Sequence, residues 1–257
     1  MPQARKRFGQ HFLHDQSIIE SILRAFDPQP GENIIEIGPG RGALTYPLLQ
    51  RCKTLTAIEL DRDLVPILKQ QASRFGTLEV INADILEFEL SSIPHGDDFR
   101  LVGNLPYNIS TPLMFHLLES AQDIRDMHFM VQKEVALRIV AHPGEANYGR
   151  LSVMLQYRCD CQYLLDVAPT CFKPPPRVDS AVIRLVPFSE PLHDVGDYAN
   201  FSRIVQSAFG QRRKTISNSL KSILDRETII ACEIDPGLRA ENLAISDFAK
   251  LSRACTP

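Results

Sequence analysis

The sequence predicts an open, mostly parallel α/β sheet with an antiparallel hairpin at one edge, followed by a small all-helical C-terminal domain. Short apolar runs alternate with stretches of helical spacing through the first half of the chain, the pattern of a sheet wound with helices. Two later strands are joined by a proline-rich segment too short to hold a crossover helix. After Pro187 the strand pattern stops and helical periodicity takes over.

Residues 17–26 place Ile18, Ile19, Ile22, Leu23 and Phe26 on one helical face, and Ser17 with Glu20 fits a capping box. Pro28, Pro30 and Gly31 end that helix. The run NIIEI at 33–37 leads into Gly-Pro-Gly-Arg-Gly and then ALTYPLLQRC, which has helical spacing. Runs at 55–60, 78–82, 99–103 and 126–131 repeat the theme, so the strands should lie parallel, covered on both faces and wound right-handed. Residues 163–168 and 180–186 read as two more strands. The segment between them, 169–179, holds four prolines, so these two should pair antiparallel. Beyond it, Phe201, Ile204, Val205, Ala208 and Phe209, then Ile216, Leu220, Ile223 and Leu224, recur at helical spacing. Two domains are expected, 1–187 and 188–257.

The chain has 257 residues, 44% hydrophobic and 23% charged, enough for one sizeable core plus a smaller second domain. Disorder, collagen and small disulfide scaffolds are excluded. No run approaches the ~18 apolar residues of a membrane span, and the N-terminal MPQARKRFGQHFL lacks the apolar stretch of a signal peptide. A soluble cytoplasmic protein with no membrane partner is expected. Cys52, Cys159, Cys161, Cys171, Cys232 and Cys255 form no CxxC pair, so reduced thiols and no metal site are expected. The net charge of −3, taken alone, argues against a nucleic-acid partner. Its distribution is uneven, however. Arg5, Lys6 and Arg7 lie in an N-terminal stretch with no acid, and Arg203, Arg212, Arg213, Lys214 and Lys221 lie in another at 199–224. Such clusters are either solvated faces or an RNA footprint.

The loop Gly38-Pro39-Gly40-Arg41-Gly42 sits between the first strand of the sheet and a helix, where open α/β folds bind ligands. Gly38, Gly40 and Ala43 also satisfy a dinucleotide fingerprint, so the glycines alone do not choose between NAD and S-adenosylmethionine. Pro39 leans toward the latter, because it has no N–H to give to a pyrophosphate. Glu59, in AIELD, is placed to accept both ribose hydroxyls, and Asp84, in NADIL, to accept from an adenine amino group with the Ile85 N–H offered to the ring. Either acid could equally be an ordinary helix cap.

Asn104-Leu105-Pro106-Tyr107 follows the strand FRLVG and precedes a helix opened by Ser110-Thr111-Pro112. Attack on a sulfonium methyl needs a planar, weakly nucleophilic amine held in line. The Asn104 amide oxygen and the Leu105 carbonyl can accept its two N–H bonds, localising the lone pair on nitrogen. Pro106 fixes the loop, and Tyr107 offers a ring to stack on the base. Phe172, ahead of Pro174, Pro175 and Pro176 in the edge hairpin, is expected to be a second stacking face, with burial in the core as its alternative.

Taken together, KRFGQHFL, EIGPGRGALT, IELD, NADIL, NLPY, FKPPPRVDS and FGQRRKTISNSL occur in this order over nearly the whole chain. The sequence closely resembles the small-subunit ribosomal RNA adenine dimethyltransferases. That resemblance implies a Rossmann-like class I methyltransferase sheet and S-adenosylmethionine as cofactor. It also implies N6,N6-dimethylation of two adjacent adenines in a hairpin near the 3′ end of 16S ribosomal RNA. The implied partner is a pre-ribosomal 30S particle, with the protein a monomer. It places the cofactor against His11, Leu13, Gly38, Glu59, Asp84 and Asn104, to which the reading of the glycine loop and of NADIL adds Gly40 and Ile85. It places the target adenine at Asn104, Leu105, Pro106, Tyr107 and Phe172, and the basic clusters then put RNA at Arg5, Lys6, Arg7, Arg212, Arg213, Lys214 and Lys221. A large-subunit ribosomal RNA methyltransferase would share the catalytic motifs. An NAD-dependent oxidoreductase would leave NLPY unexplained, and an assembly factor without turnover would not need Asn104 and Tyr107.

Overall fold

The computed structural model describes residues 11–93, 98–211 and 213–255. Arg5, Lys6, Arg7 and Arg212 therefore lie outside the described residues. In chain order the strands are β1 (Phe12–Leu13), β2 (Ile34–Ile37), β3 (Thr54–Ile58), β4 (Thr77–Ile81), β5 (Phe99–Asn104), β6 (Ile124–Gln132), β7 (Cys159–Val167), β8 (Phe172–Lys173) and β9 (Ser180–Pro187). The helices are α1 (Gln16–Phe26), α2 (Thr45–Cys52), α3 (Val65–Ala72), α4 (Ser110–Glu119), α5 (Lys133–Val140), α6 (Arg150–Gln156), α7 (Tyr198–Gly210), α8 (Ile216–Ser219), α9 (Arg226–Ala231) and α10 (Ile245–Ala254). No helix is long and apolar enough to cross a membrane, among the described residues.

Seven strands form one sheet in the order β4-β3-β2-β5-β6-β9-β7. The pairs β2–β3, β3–β4, β2–β5 and β5–β6 are parallel, and β9 runs antiparallel to β6. The parallel strands read as apolar runs because both their faces are covered; all four residues of β2 are buried. The winding goes outward from β2 through β3 to β4, then returns to the other side of β2 as β5. That reversal lies between β2 and β5, and it opens a crevice at their carboxyl ends. Close approach of these two strands requires Gly103, where a Cβ would stand 2.4 Å from the Ile37 carbonyl oxygen. Gly103→Ala is expected to lower stability by about 1–3 kcal/mol through overpacking. A urea denaturation midpoint equal to that of the wild type would contradict it.

The two expected edge strands are neighbours, with β9 inside and β7 outermost. The proline-rich segment between them does more than turn. Its Phe172 and Lys173 form β8, which pairs antiparallel with β1 in a separate two-stranded sheet: Phe12 opposite Lys173, Leu13 opposite Phe172. This pairing lays the N-terminal segment beside the crevice.

Helix α1 buries Ile19, Ile22, Leu23 and Phe26, the face its spacing predicts. Its cap differs from expectation. Asp15, not Ser17, is the N-cap, accepting from the backbone N–H groups of Ser17 and Ile18, while Glu20 pairs with Arg51 at 2.7 Å. The Asp15 carboxylate is the stronger acceptor for the free N–H groups of the first turn.

Contacts divide the chain into two compact units, Met1–Ala136 with Asp160–Pro187, and Leu137–Cys159 with Phe188–Pro257. The expected division left 137–159 in the first domain; the structure moves them to the second. Within that second unit Tyr148 is fully buried, donates its hydroxyl to the Leu243 carbonyl at 3.0 Å and meets Phe209 edge-on at 5.9 Å. The helical run expected through Leu224 is shorter, with α8 ending at Ser219, and α9 and α10 complete the unit.

Candidate active site

At the crevice between β2 and β5 lies a cavity of about 360 Å3, within the range of small-molecule sites. Segments from four strand ends and the N-terminal strand converge on it. His11 and Leu13 line it from one side, Gly38 and Gly40 from the loop after β2, and Glu59 from the end of β3. Asp84 and Ile85 follow β4, and Asn104, Leu105, Pro106 and Tyr107 end β5 and continue past it. These eleven expected site residues, spread over nearly a hundred positions of sequence, are brought together by the parallel register of β2 to β5 and by the β1–β8 pairing.

The glycine loop is shaped by backbone conformations that a Cβ disfavours. Gly38 has φ +66° and Gly40 φ +57°, both in the left-handed region open to glycine. That shape turns the Gly40 N–H toward Glu59, whose Oε2 accepts it at 3.0 Å. Glu59 Oε1 accepts the Asp61 N–H at 2.7 Å. The carboxylate is 5% exposed, and burial raises its pKa against the pull of these two N–H groups. Each oxygen retains acceptor capacity for a ligand hydroxyl. Asp84 is committed in part to its own turn, with Oδ1 accepting the Leu86 N–H at 3.0 Å. No helix follows it directly, so Asp84 caps a turn rather than a helix, and it lines the cavity.

At the end of β5, the Asn104 amide is oriented by a single bond. Its Nδ2 donates to the His11 main-chain carbonyl at 2.9 Å, so the amide oxygen is the end left to accept. The following residues are held just as firmly. The Leu105 N–H donates to the Met130 carbonyl at 3.1 Å, and the Pro106 carbonyl accepts the Ile109 N–H at 3.1 Å at the entrance to α4. The Tyr107 ring stacks against the His11 imidazole, centroids 5.7 Å apart and 25° between planes, an offset stack. His11 Nδ1 lies 2.9 Å from the Pro174 carbonyl oxygen. One histidine thereby ties the N-terminal segment to Asn104, to Tyr107 and to the proline-rich loop.

Phe172 departs from expectation. It is 3% exposed, packs in one apolar cluster with Leu13, Ile19, Cys171 and Val182, and does not line the cavity. The β1–β8 pairing sets it opposite Leu13, and burying a phenyl ring is favourable by roughly 2–3 kcal/mol. The core reading of Phe172 replaces the stacking one. Of the basic residues, Arg213 and Lys214, in the turn from α7 to α8, and Lys221, just after α8, are exposed in the second unit.

Among the lining residues that the sequence reading did not assign to the site, two stand out. Phe12 lines the cavity and carries the Arg41 guanidinium 4.2 Å above its ring centroid. Glu36, the one acid inside the run NIIEI, is 2% exposed, and its buried Oε2 has no hydrogen-bond partner among the described residues. A charged residue in a strand buried on both faces was the available signal. Burial, with Glu59 nearby, pushes its pKa from about 4.5 up to about 8. The folded protein therefore keeps a proton that the unfolded chain gives up between about pH 4.5 and 8, so this group erodes stability as pH rises through that window. In the ligand-free protein, the melting temperature of Glu36→Gln relative to wild type is expected to climb from pH 4.5 to pH 8. A difference independent of pH would contradict this.

The comparisons agree with this geometry. The family model described as ribosomal RNA adenine dimethylase matches residues 1–256. A relative from Thiobacillus denitrificans, the ribosomal RNA small subunit methyltransferase A, is 54% identical over 252 residues, covering 98% of each chain. Among solved structures, a dimethyladenosine transferase from Plasmodium falciparum superposes with a TM-score of 0.78 at 25% identity, covering 94% of this chain and 96% of that one. The 23S rRNA methyltransferase ErmE superposes with 0.74 at 28% identity, covering 95% and 99%. A fold of class I methyltransferase type, the motif order and a match along nearly the full length coincide in one chain, which belongs to the ribosomal RNA adenine dimethylase family.

Proposed function

We propose that this protein uses S-adenosylmethionine to dimethylate N6 of two adjacent adenines in a hairpin near the 3′ end of small-subunit ribosomal RNA. The observation that carries the reading is the Asn104 amide at the cavity, its nitrogen engaged by the His11 carbonyl and its oxygen left to accept. The donor set fits the cofactor: a carboxylate for a diol in Glu59, an acid and a backbone N–H for an adenine edge at Asp84 and Ile85, and a glycine loop interrupted by Pro39 where a dinucleotide would need N–H groups. S-adenosylmethionine bound there supplies an electrophilic methyl group. Asn104 and the Leu105 carbonyl accept the two N–H bonds of the target amine, which localises its lone pair and aligns it for attack. No strong general base is needed, since the amine proton becomes acidic once the methyl is transferred. For the second methylation one N–H remains, and the pocket has to admit the first methyl group. Tyr107 provides the stacking surface, worth roughly 1–3 kcal/mol against the cost of unstacking the base from RNA.

Identity supports the small-subunit substrate over the large-subunit one, 54% to a small-subunit enzyme against 28% to a 23S one. We place the reaction on a cytoplasmic pre-ribosomal 30S particle, with the protein acting as a monomer. The exposed Arg213, Lys214 and Lys221, together with Arg5, Lys6, Arg7 and Arg212, supply the phosphate contacts. Replacing Arg212, Arg213 and Lys214 by Ala is expected to weaken RNA binding and to reduce its log–log salt slope by about 0.9 per lost contact. An unchanged slope would return the cluster to a solvated face. The reading as a whole is tested by offering labelled S-adenosylmethionine with separated small- and large-subunit RNA. Label is expected on the small-subunit RNA; label confined to the large-subunit RNA, or on neither, would overturn it.

A further inference from the structure

We propose that Ser180 is a positioning residue for Tyr107, holding its ring at the place from which it stacks on the target base. This rests on the reading of Tyr107 as the base platform. Ser180 opens β9, is fully buried, and its backbone pairs with Gln132 of β6. Its Oγ lies 2.6 Å from Tyr107 Oη, a contact between residues 73 positions apart. Ser180 itself does not line the cavity, whereas Tyr107 does.

The other attachments of Tyr107 leave a freedom that this bond removes. Its carbonyl accepts from Ser110 Oγ at 3.2 Å, which fixes the main chain. The His11 imidazole covers one face but does not stop the ring sliding in that offset stack. A hydrogen bond at the phenolic oxygen, the side-chain atom farthest from the backbone, has the longest lever over χ1; because that oxygen lies on the χ2 axis, the bond fixes where the ring stands rather than how it is turned. Its partner sits in the β6–β9 ladder and does not move with the loop. Stacking depends on the offset and angle of the ring planes, so losing this bond weakens capture of the base more than the chemistry at Asn104.

The test is a cycle of wild type, Ser180→Ala, Tyr107→Phe and the double variant, assayed for methyl transfer to small-subunit RNA. Each single substitution is expected to raise KM for RNA about tenfold, the equivalent of one lost hydrogen bond. The double variant is expected to raise it no further, because both changes remove the same bond. For Ser180→Ala, kcat and cofactor affinity are expected within about threefold of wild type, since the changed contact is to the base alone. Effects that multiply to about a hundredfold in the double variant, a wild-type KM in Ser180→Ala, or a loss confined to kcat would each overturn the proposal. Should Ser180→Ala fail to fold, Tyr107→Phe decides: it breaks the bond from the cavity side and keeps the ring, and a wild-type KM there overturns the proposal. A wild-type protein that methylates no RNA fails the functional reading, whereas independent effects on an active wild type fail only the role of Ser180.

Discussion

Asn104→Ala is expected to reduce methyl transfer by at least about 10²–10³-fold while S-adenosylmethionine binding falls far less. The amide is one of two acceptors that turn a planar amine into a nucleophile, and no neighbouring group duplicates it: the Leu105 carbonyl binds only the second N–H. The bond from Nδ2 to the His11 carbonyl at 2.9 Å means that alanine also frees the N-terminal segment from the end of β5. Some loss of cofactor affinity follows from that, but the cofactor keeps Glu59, Asp84 and the glycine loop. Single-turnover rates against calorimetric affinity separate the two effects. Wild-type turnover in the variant would remove the proposed chemistry.

Glu59→Ala is expected to weaken S-adenosylmethionine binding by about 10²-fold, from two hydrogen bonds to a carboxylate at about 1.5 kcal/mol each. The change reaches further than the ligand. Gly40 and Asp61 both donate their N–H groups to this side chain, so the loop after β2 loses the acceptor that shapes it. Glu59→Gln keeps one acceptor oxygen and should fall between alanine and wild type. Calorimetry showing unchanged affinity for the alanine variant would contradict the diol assignment.

Much of this site was legible because its signals are local. Strands buried on both faces read as apolar runs, and β2 to β6 lie within a few residues of the runs at 33–37, 55–60, 78–82, 99–103 and 126–131. A ligand site in such a sheet gathers at successive strand ends, so Glu59, Asp84 and Asn104 could be placed once the strands were. The pairing of β1 with β8 was not legible, since two-residue strands have no periodicity to detect. The same pairing decides Phe172: proline stiffness next to an aromatic suggests a platform, but the partner across the ladder is Leu13 and the ring enters the core. Residues 137–159 carry no compositional break, and only the packing of Tyr148 against Phe209 and Leu243 shows where they belong. Glu36 was visible as a lone acid in an apolar run, yet its missing partner is a matter of geometry.

The electrostatics of the site follow from the same burial. Glu36 and Glu59 are both shifted upward because the crevice removes water from them; backbone N–H groups, those of Asp61 and Gly40 foremost, hold Glu59 back, whereas Glu36 is opposed only by the Thr45 hydroxyl. Of the two carboxyls in this cavity, Glu36 holds its proton until about pH 8, and Glu59 is the one whose oxygens are engaged by backbone N–H groups.

The central claim is that this cavity delivers methyl groups to the exocyclic amines of two adjacent adenines in small-subunit ribosomal RNA. Mass spectrometry of that RNA after incubation with the protein and S-adenosylmethionine reads position and methyl count together. Two neighbouring adenines, each gaining two methyl groups on N6, are predicted in one hairpin near the 3′ end. Unmodified adenines, or methyl groups on another atom or another base, would contradict the account.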